Sequence, residues 1–126
     1  MKELTKAEEQ IMQIFWKVKE GFVKEIIEHF TEPKPAYNTI STIIRILENK
    51  GFINHKSYGR TYQYFPVISK KEYTKKFAEK FIKNYFSGSI KQMVSFFTDE
   101  EDLTISELEE LQAEMNRIIR NRKQNN

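Results

Sequence analysis

Residues 36–67 read AYNTISTIIRILENKGFINHKSYGRTYQYFPV, and the spacing of the apolar side chains changes within them. From Ala36 to Lys50 the large aliphatic residues recur at the helical positions i, i+3, i+4 and i+7, and Gly51 marks the end of a helix. From Phe52 to Tyr58 and from Thr61 to Val67, aromatic and β-branched residues predominate on either side of Gly59-Arg60. The stretch therefore predicts a helix followed by a short antiparallel hairpin with a tight tip.

Two further helices are predicted before this stretch. The first opens with a capping box, Thr5-Lys6-Ala7-Glu8, and we expect Gly21 to end it. Val23 to Phe30 form a shorter helix that Pro33 and Pro35 stop. Three helices and a hairpin within about 65 residues are the layout of a winged helix-turn-helix. The first helix is predicted to bury a stripe formed by Leu4, Ala7, Ile11, Ile14, Phe15 and Val18.

The remaining residues predict a helical region. Ser69–Glu72 is a second capping box and opens a helix that Ser87-Gly88 breaks. Ile90 to Phe97 predict a turn or two of helix, Asp99–Asp102 an acidic loop, and Thr104–Glu107 the start of a last helix. The fold class is therefore mainly α with a small β hairpin. We expect residues 1–70 to form a winged-helix DNA-binding domain and residues 71–126 a helical dimerisation domain.

Composition excludes several classes of function. The 126 residues contain no Cys and only two His, His29 and His55, which argues against a metal site, a bound cofactor or a cysteine nucleophile. With no Gly-rich phosphate loop and no paired histidines either, an enzyme is the weakest hypothesis. We expect each His to be structural or a DNA contact. No apolar run is long enough to cross a bilayer and no signal sequence is visible, so we expect a cytoplasmic protein without membrane insertion.

The charge is unevenly distributed along the chain. The net charge is only +3, but residues 33–70 carry six basic residues and one acidic residue, and residues 71–91 carry six basic and two acidic. Residues 92–126 carry four basic and eight acidic residues. The basic segment therefore coincides with the third helix and the hairpin, where a nucleic-acid partner would bind.

The solvent face of the third helix has the chemistry of a recognition helix. Its side chains are short hydrogen-bonding groups and one Arg, which suit close approach to base edges and phosphates. Two cations lie near the hairpin tip, where a wing meets the DNA backbone. The predicted DNA-binding residues are Asn38, Thr39, Ser41, Thr42 and Arg45 on the helix, with Lys56 and Arg60 on the wing.

The C-terminal helices present more apolar surface than they can bury alone. About 55 residues in three helices would struggle to bury seven aromatic side chains, so we expect two copies of the chain to associate. Folding back onto the winged helix is the alternative. The predicted dimer interface consists of Phe77, Phe81, Tyr85, Phe97, Leu108, Leu111, Met115 and Ile118.

Two further functions stay open at this point. The chain could be a winged-helix module that docks a protein partner through its aromatic surface. It could also be a repressor released by a small apolar ligand bound among Phe77, Phe81 and Phe97. The lysines of the fourth helix, such as Lys71 and Lys75, are expected mainly to keep it soluble.

Several stretches together resemble one known family. They are EEQIMQIFW at residues 8–16, NTISTIIRIL at 38–47, NKGFI at 49–53, Glu101-Asp102-Leu103 and ELEEL at 107–111. In order and spacing they are similar to the penicillinase repressor family, the BlaI/MecI group of bacterial winged-helix repressors. The resemblance runs from Leu4 to about Arg120.

The resemblance implies a homodimer whose winged helices bind an inverted-repeat operator while intertwined C-terminal helices hold the dimer. In this family, operators precede β-lactamase or other antibiotic-resistance genes. A membrane-bound sensor with a zinc-protease domain triggers cleavage in the C-terminal region and so relieves repression. By position, the resemblance also assigns DNA contacts to the five helix residues that helical geometry selects.

This chain departs from the family pattern in two places. The family's scissile bond joins Asn to Phe, and the corresponding bond here joins Phe96 to Phe97, so cleavage could be shifted or absent. Asn38 and Ser41 replace basic residues of well-known members, which implies a different operator sequence. A copper-responsive branch with a C-terminal cysteine cluster is excluded because the chain has no Cys.

Overall fold

The computed structural model describes residues 2–100 and 103–126, and it contains six helices and one hairpin in that part of the chain. Two compact units are present, one ending at Ala78 and the other beginning at Glu79, so that the division falls inside the fourth helix. In chain order the elements are α1 (Lys6–Val18), α2 (Val23–Glu28), α3 (Tyr37–Asn49), β1 (Ile53–Tyr58), β2 (Thr61–Pro66), α4 (Lys70–Phe86), α5 (Ile90–Glu100) and α6 (Ile105–Gln124).

The first unit is a winged helix, as predicted. Its core forms where the apolar faces of α1, α2 and α3 meet the hairpin, and Phe15, Ile26, Ile44, Leu47 and Phe52 are fully buried there. The i, i+3, i+4, i+7 spacing of α3 directs its aliphatic side chains to one side. The opposite side of α3 is consequently left to solvent.

The hairpin pairs β1 with β2 in antiparallel register, from Ile53 opposite Pro66 to Tyr58 opposite Thr61 at the tip. Pro66 lies at the end of its strand, where its missing N–H costs no ladder hydrogen bond. The sequence did not predict a third strand-like segment. Gly21 forms an isolated antiparallel bridge with Tyr64, in which each backbone N–H donates to the other residue's carbonyl at 2.9 Å.

The end of α1 differs from the prediction. The helix stops at Val18, and Lys19 takes up a left-handed conformation with φ 75°. Gly21, the expected terminator, lies two residues further on and is buried in its bridge to the hairpin. A Cβ at this position would approach Cδ1 of Ile26 to 3.2 Å, so a larger residue would crowd the core.

The buried face of α1 also differs from the predicted stripe. Ala7 is exposed, whereas Met12 and Glu8 are buried. Glu8 closes the predicted capping box, since its Oε1 accepts from the Thr5 N–H at 2.8 Å, and it also pairs with Nζ of Lys50 at 2.6 Å. A carboxylate was not expected in an apolar stripe, but these partners satisfy its charge.

The start of α4 belongs to the winged-helix unit. Nε1 of Trp16 donates to the carbonyl of Ile68 at 2.9 Å, and the Tyr73 ring packs against the rings of Trp16 and Phe52 at 5.7 and 5.8 Å. Ser69 and Glu72 exchange the hydrogen bonds of the predicted capping box. These contacts explain why the unit extends beyond residue 70.

The second unit comprises the end of α4 with α5 and α6. The segment from Ile90 is a helix of 11 residues rather than a turn or two, and Asp99 lies inside it rather than in an acidic loop. Residues 101 and 102 of the predicted acidic loop lie outside the described residues. Thr104 and Glu107 form the third predicted capping box. None of the helices described is both long and apolar enough to cross a membrane.

Candidate nucleic-acid interface

The side of α3 that faces away from the core presents the predicted recognition residues. Asn38, Thr39, Thr42 and Arg45 are exposed and Ser41 is half-buried, while Ile40 and Ile44 between them are buried. The hydrophobic contacts therefore fix the rotation of α3 and leave its polar side free. Tyr37, at the start of the helix, and Ile46 are also exposed on α3 and were not among the predicted residues.

Thr42 has a defined hydrogen-bonding state. Its Oγ1 donates to the carbonyl of Asn38 at 2.8 Å, one turn earlier in the same helix. The hydroxyl proton is thus occupied by the backbone, as is common for Thr inside helices. What Thr42 presents outward is a methyl group and the oxygen lone pairs, which suit a thymine methyl or a base donor.

The beginning of α3 differs from those of α1, α4, α5 and α6. Thr5, Ser69, Ser89 and Thr104 accept hydrogen bonds from backbone amides at the starts of α1, α4, α5 and α6. Ala36 precedes α3 and offers no side-chain acceptor, and no acidic residue occupies the first turn of α3. The positive end of this helix dipole is therefore not neutralised by the helix itself.

The wing carries two exposed cations, Lys56 and Arg60. Nζ of Lys56 lies 5.6 Å from the centre of the Phe65 ring. At the tip, Oγ1 of Thr61 donates to the carbonyl of Tyr58 at 2.8 Å, which closes the turn that holds Arg60. Within the described residues, neither cation forms an ion pair. Both are thus available to an external anion.

A side-chain pair holds the wing against the end of α3. Nδ1 of His55 in β1 lies 2.5 Å from Oε2 of Glu48 in α3, and the imidazole stacks on the Tyr62 ring at 4.1 Å. Burial, followed by the charge of Glu48, raises the pKa of the neighbouring Tyr64, whereas Arg45 opposes the shift. His55 therefore has structural contacts, and it joins β1 to Glu48, the only acid that the sequence places in α3.

A cleft separates the recognition side of α3 from the wing. It is lined by the predicted residues Ser41, Arg45 and Arg60, and by others that sequence reasoning missed, including Lys24, Tyr37 and Tyr62. Lys24 lies at the start of α2 and Tyr62 in β2, so no local pattern could have joined them. For Tyr37 a signal was present, because it directly precedes the polar run of α3.

The predicted dimer-interface residues lie at the surface of their units. In the first unit, Phe77 is 57% exposed. In the second unit, Phe81 is half-buried against the rings of Tyr85 and Phe86, at 5.2 and 5.6 Å. Along α6 every residue is exposed, including one apolar side formed by Ile105, Leu108, Leu111, Met115, Ile118 and Ile119. Tyr85 and Phe97 are exposed as well.

The predicted cleavage position lies within a helix. Phe96 and Phe97 are in the second half of α5, with exposed fractions of 50% and 41%. Both rings contact Phe86, at 5.6 and 6.5 Å between centres. A protease that reads an extended peptide would therefore have to unwind this part of α5 before cutting the bond.

Metal-ion chemistry has no candidate centre in the part of the chain that the structure describes. No three His, Asp or Glu side chains of residues 2–100 and 103–126 converge in a way that could hold a metal ion. The exposed cations, polar helix face and hairpin instead suit a polyanion. Three helices, a wing and a basic recognition side define a winged-helix protein of the nucleic-acid-binding type.

The comparison with protein families agrees with this class. The family model described as Penicillinase repressor matches residues 4–117. The chain belongs to the penicillinase repressor family, and the resemblance seen in the sequence is confirmed. Since the family is one of repressors, the prediction that the chain is not an enzyme is confirmed as well.

Individual relatives are similar over most of their length. The methicillin resistance regulatory protein MecI of Staphylococcus aureus strain N315 is 32% identical over 116 residues, which cover 91% of this chain and 94% of that protein. The penicillinase repressor of Bacillus licheniformis is 27% identical over 110 residues, 86% of each chain. A solution structure of the DNA-binding domain of the repressor BlaI is 30% identical, with a TM-score of 0.49, and covers 58% of this chain and 94% of that one.

Proposed function

We propose that the chain is a sequence-specific DNA-binding transcriptional repressor. The observation that carries the proposal is the outward side of α3, where Asn38, Thr42 and Arg45 are exposed on a helix whose opposite side is locked into the core. Short polar groups and one Arg can reach base edges in the major groove, and the uncapped start of α3 favours a nearby phosphate. Ser41 and Thr39 complete this surface.

The wing supplies the backbone contacts in this proposal. Lys56 and Arg60 would meet phosphates or the adjacent minor groove, which position the protein without reading sequence. The Glu48–His55 contact supports this arrangement because it fixes the wing against α3. The names of the relatives, methicillin resistance regulatory protein and penicillinase repressor, support regulation of antibiotic-resistance genes.

We further propose that the active form is a homodimer on an inverted-repeat operator. The support comes from α6, whose apolar side is exposed along the whole helix. Surfaces of this kind normally mark an interface. A two-fold dimer would present two copies of α3 to two half-sites, which raises affinity without enlarging either reading surface. The dimer contacts would come from the interface residues predicted above.

Derepression by proteolysis in the C-terminal region is part of the same proposal. A cut between Phe96 and Phe97 would detach α6 from the winged helix, and with it the exposed apolar side that α6 carries. Loss of the dimer would then weaken operator binding. A sensor-linked protease is the partner this requires. As a repressor acts on the chromosome, the proposal includes the predicted cytoplasmic location.

An electrophoretic mobility shift on the DNA upstream of the chain's own gene tests the repressor proposal. The expected result is one palindromic fragment that binds at least about 1,000-fold more tightly than scrambled DNA at physiological salt. Equal affinity for both DNAs would contradict it. A dimer without measurable DNA affinity would instead favour a protein-docking module.

The route of release needs a separate test. Cells exposed to a β-lactam should contain a fragment whose mass locates the cut within α5. An intact chain that nevertheless loses operator binding would point to a small ligand as the inducing signal.

A further inference from the structure

The cleft of the winged-helix unit lies between the starts of α2 and α3 and the second strand of the wing. Its volume is about 600 Å³, within the usual range for small-molecule sites. Two kinds of side chain line it, cations and aromatic rings. Those relevant here are Lys24, Arg45 and Arg60, with Phe22, Tyr37 and Tyr62.

The lining carries an excess of positive charge. No ion pair neutralises the three cations within the described residues. One carboxylate, that of Glu25, is present in the described lining, and its Oε1 accepts from the Phe22 N–H at 2.8 Å. Three cations against one carboxylate leave the described lining with a net positive charge that attracts an anion.

Backbone and side-chain contacts fix the walls of the cleft relative to one another. The paired hydrogen bonds between Gly21 and Tyr64, both 2.9 Å, hold β2 to the residues that lead into α2. Stacking of Tyr62 on His55 and the contact of His55 with Glu48 hold the wing to α3. A site with walls already in place loses little conformational entropy when it binds a ligand.

We propose that this cleft binds a small aromatic anion, an aryl carboxylate or aryl phosphate. The ring would lie among Tyr37, Tyr62 and Phe22, and the anionic group would accept hydrogen bonds from Arg45 and Arg60, whose planar guanidinium groups match carboxylate and phosphate oxygens. Since both arginines belong to the proposed DNA surface, bound ligand excludes DNA. This competition rests on the proposed function, whereas ligand binding itself does not.

Titration calorimetry of the full chain with phenyl phosphate, without DNA, tests the site. Inorganic phosphate and phenol serve as comparison ligands that carry only the charge or only the ring. The expected result is one site per chain, with phenyl phosphate binding at least about tenfold more tightly than either. If inorganic phosphate binds as tightly as phenyl phosphate, the cleft is only a general cationic surface and the proposal is wrong.

Variants locate the binding to the cleft. Arg60→Gln and Tyr37→Ala change exposed residues of the lining and should each weaken binding about tenfold or more. Lys56→Gln is the matched control, because it removes an exposed cation of the same hairpin that does not line the cleft. Binding that survives Arg60→Gln, or that falls equally with Lys56→Gln, would show that the ligand lies elsewhere.

A mobility shift with increasing phenyl phosphate tests the competition. Wild-type chain should release DNA over the concentration range in which the calorimeter records binding, and chain with Tyr37→Ala, a lining residue outside the proposed DNA contacts, should need about tenfold more ligand for the same fractional release. Ligand that binds without displacing DNA would refute the competition. A chain that binds phenyl phosphate but no specific DNA would refute the proposed function and leave the ligand site standing.

Discussion

Nδ1 of His55 lies 2.5 Å from Oε2 of Glu48, so the wing and the recognition helix are joined by side chains as well as by the chain between them. The contact is partly exposed, with 30% and 26% of the two side chains accessible. Glu48 lies about one helical turn after Arg45 along α3. The main effect of the contact should therefore be on the position of the wing rather than on the stability of the fold.

Replacing His55 with Ala should separate these two effects. We expect the free energy of unfolding to fall by only about 1 kcal/mol, because an exposed contact contributes little. Operator affinity should fall more, by about tenfold, because the wing loses its fixed position. Urea unfolding and fluorescence anisotropy on operator DNA measure the two quantities. If the free energy of unfolding falls by more than the free energy of operator binding, the contact stabilises the fold and does not position the wing.

Arg45 and Lys56 should have distinguishable roles on DNA. Arg45→Ala should weaken specific binding by about 1–3 kcal/mol and relax sequence preference, as expected for a base contact. Lys56→Ala should weaken binding to all sequences. It should also reduce the slope of log affinity against log salt concentration by about one, the contribution of one phosphate contact. Lys17→Ala, an exposed cation in the last turn of α1, is the control. Equal salt slopes for wild type and Lys56→Ala would remove that residue from the interface.

The pair formed by buried Glu8 and half-buried Lys50 should make the free energy of unfolding depend on pH. Burial alone would raise the pKa of Glu8, but the hydrogen bond and charge of Lys50, together with the Thr5 N–H, bring it below its ordinary value of 4.5. A pKa that is lowered in the folded state gives stability that is present above pH 4.5 and is lost as the pH falls through the folded value. Acid should therefore weaken this unit.

Substitutions at the pair test the argument. Glu8→Gln should cost about 1–2 kcal/mol at pH 7 and progressively less as the pH falls below 4.5, because protonation of the wild-type carboxylate then removes its charge. Lys50→Met should cost more at pH 7, about 3 kcal/mol, because it leaves a buried carboxylate without its cation. Urea unfolding at several pH values checks both. A Glu8→Gln cost that is the same at pH 2 and pH 7 would show that packing, not charge, is lost.

The apolar side of α6 should be needed for dimerisation. Met115→Glu places a charge on that side, and we expect sedimentation velocity to show a monomer at concentrations where wild type is a dimer. Ala113→Glu adds the same charge on the opposite side of the helix and should leave the dimer intact. Operator affinity should fall only for Met115→Glu. If Met115→Glu and Ala113→Glu have the same oligomeric state, the dimer interface lies on other surfaces of the chain.

Local patterns in the sequence predicted most of the fold. Helical spacing located α3, and reciprocal Ser/Thr–Glu capping located the starts of α1, α4 and α6, because these signals depend only on residues within one or two turns. The bridge between Gly21 and Tyr64 and the burial of Glu8 were missed, because both depend on partners more than 40 positions away along the chain. The length of α5 was underestimated because Asp99 and its acidic neighbours read as a loop.

In the candidate site too, the residues set by local patterns were predicted, and those brought together by the fold were not. The outward residues of α3 follow from helix geometry, and the cations of the wing follow from the position of the hairpin tip. The cleft could not be foreseen, since Lys24, Tyr37 and Tyr62 come from three separate elements that only the folded chain brings together. In the sequence, nothing pairs Glu48 with His55, because the two residues lie on different elements that only the fold brings into contact.

The hydrogen bond from Trp16 to Ile68 spans 52 residues, and Tyr73 covers it from the start of α4. A nascent chain can complete this contact only after the ribosome has released the whole wing and the first turn of α4. Until then the Trp16 side chain lacks both its hydrogen-bond acceptor and the ring that packs against it. The winged-helix unit, with the proposed recognition side of α3, is therefore completed only late in synthesis.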